Sequence, residues 1–302
     1  MKIDPTTITI KEVGPRDGLQ NEAVFIPTAD KIAWVNQLSH SGLSYIEVTS
    51  FVHPKWIPAL ADAVEVMSGI ERVPGVTYAA LVPNVKGLER ALAAQVDEVS
   101  VFMSASETHN MKNINKTRQD TYPILAETAK AALAAGKTVR GYVSTVFGCP
   151  YEGAVPVEDV IRVTDALLEM GVQEVSLGDT IGVAHPRQVQ EVLEVLLRRF
   201  PAERLAMHFH DTRGMAIANV LVSLEMGMTT FDSSLGGLGG CPYALGASGN
   251  LATDDLLYLL DGLGMQTGVD GEKLREAARL IQEKMGRPLM SHSMQACQGQ
   301  EG

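Results

Sequence analysis

The chain has 302 residues, of which 45% are hydrophobic and 20% are charged, an ordinary composition for a globular protein with a substantial core. Its formal net charge of -11 and its pI near 5.1 argue against nucleic-acid binding, which needs a basic face. No apolar run approaches the roughly 20 residues of a membrane-spanning helix, and the first residues lack the layout of a signal peptide. We therefore expect a cytoplasmic protein that does not associate with membranes.

Short β-rich runs recur eight times along the chain, and each is followed by a stretch with the apolar spacing of a helix. This alternation predicts a parallel sheet with crossover helices. The predicted strands are residues 8–13, 45–51, 76–82, 98–104, 139–147, 174–177, 205–210 and 230–235. The predicted helices are residues 30–41, 58–70, 85–94, 121–135, 157–170, 186–200, 215–226 and 253–263.

Eight strand-and-helix units favour a closed (β/α)8 TIM barrel over residues 5–264, since such a barrel takes about 250 residues. An open doubly wound sheet also alternates strands and helices, but it seldom reaches eight units. Residues 265–302 are then a C-terminal helical extension, with one helix at 271–286 and a loose end rich in Ser, Gln and Gly. No linker-like tract interrupts the barrel, so we expect residues 1–302 to form one domain.

Several predicted strands end in reactive side chains, and in this type of barrel the chemistry lies at the carboxyl ends of the strands. The first strand leads into a Gly-Pro turn that presents Arg16 and Asp17 side by side, which core packing does not explain. The second strand carries Glu47 among apolar neighbours, and the sixth ends beside Asp179. These four residues are candidates for the active site.

The seventh predicted strand ends in the sequence HFHD, residues 208–211. His208 and His210 are two residues apart, so their side chains point to the same face of a strand, about 7 Å apart along the backbone. Together with Asp17 they predict a metal site. A carboxylate, imidazoles and an amide suit a six-coordinate Mg²⁺ or Mn²⁺, whereas a site made of thiolates would indicate zinc.

A glycine-rich stretch, GGLGGCPYALGASGN at residues 236–250, follows the eighth strand. Its glycine density rules out a helix and permits lid motion and close approach to a ligand, so Cys241 is a candidate for chemistry. It lacks the Gly-Lys-Ser/Thr ending of a phosphate-binding loop. The three cysteines, at 149, 241 and 297, are odd in number and widely spaced, which predicts free thiols.

Several segments together resemble the hydroxymethylglutaryl-CoA lyase family of aldolase-like TIM-barrel metallolyases. They are VGPRDGLQNE at 13–22, TSFV at 49–52, VRGYVS at 139–144, GCPYEG at 148–153, SLGDTIG at 176–182 and the loop with Cys241. The resemblance covers nearly the whole chain. The sequence departs from the family pattern at Phe209, Arg213 and Leu245, and in the stretch 234–236, which leaves the acyl group of the substrate open.

The resemblance implies a divalent cation held by Asp17, His208, His210 and Asn250. Asn250 is indicated by the resemblance alone and not by the residue pattern. It also implies a catalytic set of Arg16, Asp17, Glu47, Asp179, His208 and Cys241. We expect Arg16, Gln20, Asn113 and Ser176 to bind the substrate. The positive charges of Lys112, Lys116 and Arg118 are explained equally well by contacts with CoA phosphates and by a charged surface loop.

The implied reaction is the retro-Claisen cleavage of 3-hydroxy-3-methylglutaryl-CoA to acetyl-CoA and acetoacetate, a step of the leucine-degradation type. Either His208 or Asp17 would take the hydroxyl proton, Arg16 would stabilise the enolate oxygen, and Cys241 would protonate the enolate carbon. Glu47 and Asp179 would orient these groups. The alternatives are a lyase for a related 3-hydroxy-3-alkyl acyl-CoA, a Claisen-condensing synthase or aldolase, and a non-catalytic CoA or metal sensor. The resemblance also implies a homodimer or larger homo-oligomer.

Overall fold

The computed structural model describes residues 7–22, 24–239 and 249–298, the side chains as far as residue 296. Eight parallel strands form a closed barrel in sequence order, and pairing of Thr9 with Thr230 and of Glu12 with Ser233 closes it between the first and last strands. The strands are β1 (Thr9–Glu12), β2 (Tyr45–Ser50), β3 (Thr77–Leu81), β4 (Glu98–Ser104), β5 (Thr138–Ser144), β6 (Glu174–Gly178), β7 (Leu205–His208) and β8 (Thr230–Ser233). The predicted (β/α)8 barrel is confirmed, and the open sheet is excluded.

The helices surround the barrel and bury their apolar faces against it. They are α1 (Thr28–Ser39), α2 (Ala63–Gly69), α3 (Val85–Ala93), α4 (Glu107–Ile114), α5 (Arg118–Ala134), α6 (Val157–Glu169), α7 (Pro186–Leu196), α8 (Ala216–Glu225), α9 (Thr253–Gly262), α10 (Gly271–Met285) and α11 (His292–Gln298). None of the helices in the described ranges is long and apolar enough to cross a membrane.

Three strands end two or three residues earlier than predicted, because the chain turns where the site begins. β5 ends at Ser144, since Thr145 has a φ of 62°, outside the extended region. β7 ends at His208, and β8 ends at Ser233. The glycine-rich stretch begins in one 3-10 turn, Leu235–Gly237, in which Gly236 has a left-handed φ of 70°, so no regular helix forms in its described part.

Two helices were not predicted. The first is α4, whose start is capped by the Ser106 hydroxyl accepting from the backbone N–H of His109. The second is α11, so the predicted loose end is wrong for residues 292–298. The backbone N–H groups of His292 and Ser293 donate to the Asp255 carboxylate of α9, at 3.0 and 2.7 Å, and this ties the start of α11 to the barrel. That the whole chain forms one domain stays a prediction.

Candidate active site and metal centre

A cavity of about 580 Å³ opens at the carboxyl ends of the strands. Its lining includes residues that the sequence predicted for the site from several parts of the chain, among them Arg16, Asp17, Gln20, His208 and His210. Asn113 of α4 lines the same cavity. The closed barrel is what brings these residues together, because all eight strands direct their carboxyl ends to one face.

The turn after β1 is a short π-helix, Gly14–Gly18, in which three successive backbone N–H groups converge on the Val13 carbonyl. Such π-turns are frequent at functional sites. Gly14 is required here, because a Cβ at this position would lie 2.5 Å from Oε1 of Glu12. The tight turn places Arg16 and Asp17 at the rim of the barrel.

The centre of the site is a cluster of Asp17, His208 and His210. The Nε2 atoms of the two histidines lie 3.3 Å apart, and they lie 3.8 and 4.0 Å from Oδ2 of Asp17. Ligand atoms about 2.0–2.1 Å from a common cation would be roughly 3 Å apart, so only a small inward shift is needed. The residues present therefore fit a divalent metal ion.

Asn250 completes this cluster. A bridge between Asn250 and His210 and the hydrogen bond from Leu251 N to Phe209 O hold it beside the end of β7. Its Nδ2 donates to Asp17 Oδ2 at 2.8 Å and to Leu238 O at 3.1 Å, which orients the amide. Its Oδ1 is buried and accepts no hydrogen bond within the described residues. An orphaned carbonyl oxygen is the kind of ligand that Mg²⁺ and Mn²⁺ prefer.

Behind the histidines lies a carboxylate that the sequence analysis missed, Asp232 of β8. It is fully buried, and its Oδ2 lies 3.2 Å from Nδ1 of His208 and accepts from the Ser176 hydroxyl at 2.7 Å. Arg140 of β5 donates to both of its oxygens, at 2.7 and 3.2 Å. The sequence does contain a pattern that could have identified Asp232. It is a carboxylate within a predicted strand, the same pattern that singled out Glu47.

Arg16 is held on two sides by carboxylates. Its Nε donates to Oε2 of Glu47 at 2.5 Å, and its Nη1 pairs with Asp17. The Tyr142 hydroxyl also donates to Oε2 of Glu47, at 3.2 Å, and the Tyr142 ring lies 5.3 Å from the Arg16 Cζ. Glu47 is buried beneath the cavity, where it orients the guanidinium. Tyr142 is a second site residue that the sequence analysis missed.

Burial and charge give the ionisable groups of the cluster different properties. Burial opposes ionisation of Asp17, but Arg16 and the histidines lower its pKa to about 2. Burial and the neighbouring His208 lower the pKa of His210 to about 4, so its ring is neutral at pH 7 and available as a metal ligand. Burial acts in the same direction on His208, but Asp232 and Asp17 outweigh it and raise the pKa.

Asp179 and Ser176 lie outside the cavity lining. The Asp179 carboxylate accepts from the backbone N–H groups of Val183 and Ala184, at 2.9 and 3.2 Å, and so shapes the loop after β6. Burial raises the pKa of Asp179 to about 6. Ser176 is fully buried on β6 and donates to Asp232. Ser176 thus contacts the carboxylate behind His208, and the backbone N–H of Asp179 donates to the His208 carbonyl at 2.8 Å.

Four more of the residues discussed from the sequence are Cys241, Leu245, Gln20 and Arg118. Cys241 lies outside the described residues, as does Leu245. Gln20 lines the cavity, and its Oε1 is buried without a hydrogen-bond partner in the described part of the chain. Arg118, considered above as a contact of CoA phosphates, donates instead to groups of the protein itself: Glu107, Asp159 and the Ala105 carbonyl.

The chain matches the protein-family model described as HMGL-like over residues 7–281. The hydroxymethylglutaryl-CoA lyase of Bacillus subtilis is 62% identical to it over 291 residues, which make up 96% of this chain and 97% of that protein. This chain belongs to the hydroxymethylglutaryl-CoA lyase family. Membership makes it an enzyme of the carbon-carbon lyase class, and it confirms the resemblance found in the motifs.

Solved structures of the hydroxymethylglutaryl-CoA lyase family have the same fold over nearly the whole chain. The hydroxymethylglutaryl-CoA lyase of Pseudomonas aeruginosa has a TM-score of 0.96 and is 49% identical, covering 98% of this chain and 99% of its own. An HMG-CoA lyase from Acinetobacter baumannii, in complex with coenzyme A and 3-methylmalate, has a TM-score of 0.91 and is 40% identical, covering 96% of this chain and 95% of its own.

Proposed function

We propose that this chain cleaves 3-hydroxy-3-methylglutaryl-CoA into acetyl-CoA and acetoacetate, with Mg²⁺ or Mn²⁺ as cofactor. The observation that carries the proposal is the convergence of Asp17, His208, His210 and the orphaned Oδ1 of Asn250 beside the fixed guanidinium of Arg16. The names of the relatives support the substrate, and the A. baumannii complex supports a CoA thioester as its class.

The cofactor would be held by Asp17, His208, His210 and Asn250. A bound divalent cation supplies Lewis-acid chemistry, which lowers the pKa of a substrate hydroxyl and orients substrate oxygens. His210 is neutral at pH 7 because its pKa lies near 4, as a ligand must be. Asp17 is ionised at the same pH because its pKa lies near 2.

The reaction requires that the tertiary hydroxyl lose its proton while the bond between C2 and C3 breaks. Two residues of the metal cluster, His208 and Asp17, are the candidate bases, and the pKa of His208 is raised while that of Asp17 is held near 2. The electron pair of the broken bond moves into the thioester, which becomes an enolate. The ketone that is released is acetoacetate.

Arg16 is the group that we assign to the enolate oxygen. Its guanidinium lines the cavity and is held by Glu47 and Asp17, so little reorganisation is needed when negative charge develops. Cys241 then delivers a proton to the enolate carbon, which completes acetyl-CoA. A thiol, with a usual pKa of about 8.5, exchanges protons readily near neutral pH.

The decisive experiment is incubation of the purified protein with a panel of 3-hydroxy-3-alkyl dicarboxylic acyl-CoAs and Mg²⁺, followed by mass identification of the products. We expect acetyl-CoA and acetoacetate from the 3-methylglutaryl substrate at the highest kcat/KM of the panel. A higher kcat/KM on another alkyl substrate would reassign the substrate. Condensation of acetyl-CoA with a keto acid, and no cleavage, would favour a synthase.

Two further expectations belong to this proposal. We propose a homodimer or larger homo-oligomer, which light scattering coupled to size-exclusion chromatography measures directly. We also propose that the protein acts in the cytoplasm, and fractionation of the source cells tests this location. Recovery with membranes would contradict it.

A further inference from the structure

The cavity of the proposed enzyme has a second polar side on α4. His109 and Asn113 are four residues apart on this helix, so they share one face, and both line the cavity. β4, which leads into α4, is three strands from β1 and three from β7, the strands that carry Asp17 and the histidines. His109 therefore stands across the mouth from the metal centre.

The His109 ring is held in place from behind. Asn110 anchors α4, since its Oδ1 accepts from the backbone N–H of Ser104 and its Nδ2 donates to Lys116 O and to the Thr121 hydroxyl. The His109 ring is 4% exposed, and its Nδ1 lies 3.0 Å from Oγ of Ser104. These contacts define the direction of both ring nitrogens.

A chain of hydroxyl groups then determines which ring nitrogen carries the proton. The Thr145 hydroxyl donates to Ser144 O at 2.6 Å, which leaves Thr145 Oγ1 to accept from the Ser104 hydroxyl at 2.7 Å. The longer alternatives for the Ser104 proton are His109 Nδ1, at 3.0 Å, and Ser144 O, at 3.4 Å. With its only proton donated across the shortest of these contacts, to Thr145 Oγ1, Ser104 Oγ accepts from His109 Nδ1–H. In a neutral ring, Nε2 is then a bare acceptor.

We propose that His109 is a specificity-determining residue whose Nε2 accepts a hydrogen bond from an amide N–H of the pantetheine arm of the acyl-CoA substrate. This inference rests on the proposed function for the identity of the ligand. Nε2 makes no hydrogen bond within the described residues, and the ring lines the cavity. The dicarboxylate end of the substrate belongs at the metal centre, so the thioester arm reaches towards α4.

The charge state of the ring selects the ligand group. Burial lowers the pKa of His109, although the Glu152 carboxylate acts in the opposite direction. A neutral imidazole with Nδ1–H is suited to an N–H donor and not to a phosphate. Beyond the thioester sulfur, the N–H groups of the pantetheine arm are its two amides.

The test compares a ligand that contains the pantetheine arm, coenzyme A, with one that lacks it, free 3-hydroxy-3-methylglutarate. Calorimetry in Mg²⁺ measures the Kd of coenzyme A and the Kd of free 3-hydroxy-3-methylglutarate for the wild type, His109→Phe and His109→Gln. Phenylalanine keeps the planar ring without the acceptor, and glutamine can place its Oε1 near the position of Nε2. We expect His109→Phe to weaken coenzyme A binding about 5- to 10-fold and His109→Gln to restore it to within about twofold. The Kd of the free dicarboxylate should be unchanged.

Steady-state kinetics should agree, with KM for the acyl-CoA raised in His109→Phe by the same factor and kcat changed less than about twofold. Equal weakening of both ligands, or no rescue by glutamine, would overturn the proposal in favour of a packing role. Because coenzyme A binding needs no turnover, loss of the proposed cleavage activity would leave this measurement intact. Unchanged coenzyme A binding in His109→Phe would also overturn it.

Discussion

Nδ1 of His208 lies 3.2 Å from Oδ2 of Asp232, and this contact joins the metal centre to the core of the barrel. The carboxylate is in turn held by Arg140 and Ser176, so its position is not free to change. A hydrogen bond to Nδ1 leaves Nε2 of His208 to face Asp17 and His210. Carboxylate support of this kind orients a histidine ligand and increases its basicity.

We expect Asp232→Asn to weaken binding of Mn²⁺ by about 10- to 100-fold, because the supporting charge behind His208 is lost. Calorimetric titration of Mn²⁺ into protein from which metal has been removed with a chelator measures the change in Kd. Asp254→Asn is the matched control, since Asp254 is another buried carboxylate, bonded to Ser291 and to the Gly236 N–H, away from the histidines. Equal affinities in Asp232→Asn and the wild type would exclude the supporting role.

Removal of divalent cations should abolish cleavage activity, and addition of Mg²⁺ or Mn²⁺ should restore it. The reason is that Asp17, His208, His210 and Asn250 converge on one point, where a divalent cation would polarise the substrate hydroxyl. The measurement is acetyl-CoA release after exhaustive treatment with EDTA and gel filtration, with bound metal determined by elemental analysis. Full activity in metal-free protein would refute the metal role.

Arg16→Gln should lower kcat by about a thousandfold or more and change KM far less, because a preorganised donor to the enolate acts in the transition state. Single-turnover kinetics measures the chemical step. Arg187→Gln, which removes a surface guanidinium paired with Glu191, is the control and should leave kcat unaltered. A steep rise in KM at constant kcat would instead make Arg16 a binder of the ground-state substrate.

Cys241→Ala should slow product formation while metal binding stays intact, because the thiol is assigned to proton delivery and not to coordination. Iodoacetamide should inactivate the wild type, with a substrate analogue protecting. Cys149 is 3% exposed and should resist alkylation, and Cys297→Ser removes the third thiol from the analysis. Peptide mass spectrometry identifies the modified residue. Wild-type turnover in Cys241→Ala, or loss of its cation, would end the proton-donor assignment.

Glu12 is fully buried, and burial raises its pKa to about 7 although its carboxylate accepts from Gly14 N, Leu235 N and the Thr253 hydroxyl. The folded state therefore keeps a proton that the unfolded chain releases above its ordinary pKa of 4.5. This contribution to stability is fully present below pH 4.5 and is lost as the pH rises through about 7.

Glu12→Gln mimics the protonated form. The free energy of unfolding of the variant minus that of the wild type should therefore be about 2 to 3 kcal/mol larger at pH 8 than at pH 5. Urea denaturation of both proteins across this range measures the difference. Glu203→Gln, a change at an exposed glutamate, is the control. A difference between Glu12→Gln and the wild type that does not vary with pH would contradict the raised pKa.

The sequence by itself determined the architecture and the reactive end of the barrel. Period and length alone distinguish strands from helices, so all eight strand-and-helix units were predicted, with most ends displaced by a few residues. The pair His208 and His210 and the adjacent Arg16 and Asp17 were recognised because such polar residues at strand ends have no packing role. α4 was missed because its sequence is polar, and its helical state depends on the Ser106 cap and the Asn110 anchor.

Only the tertiary structure decided which polar groups meet. Asp232 and His208 are 24 residues apart, and Glu47 and Tyr142 are 95 apart, and no local pattern encodes those contacts. They arise from the register of neighbouring strands and from closure of the barrel. Both depend on packing along the whole chain and not on any one segment. The same closure placed Ser176 beneath the cavity and left His109 facing it, because burial of each side chain is a property of the assembled barrel and not of its own strand or helix.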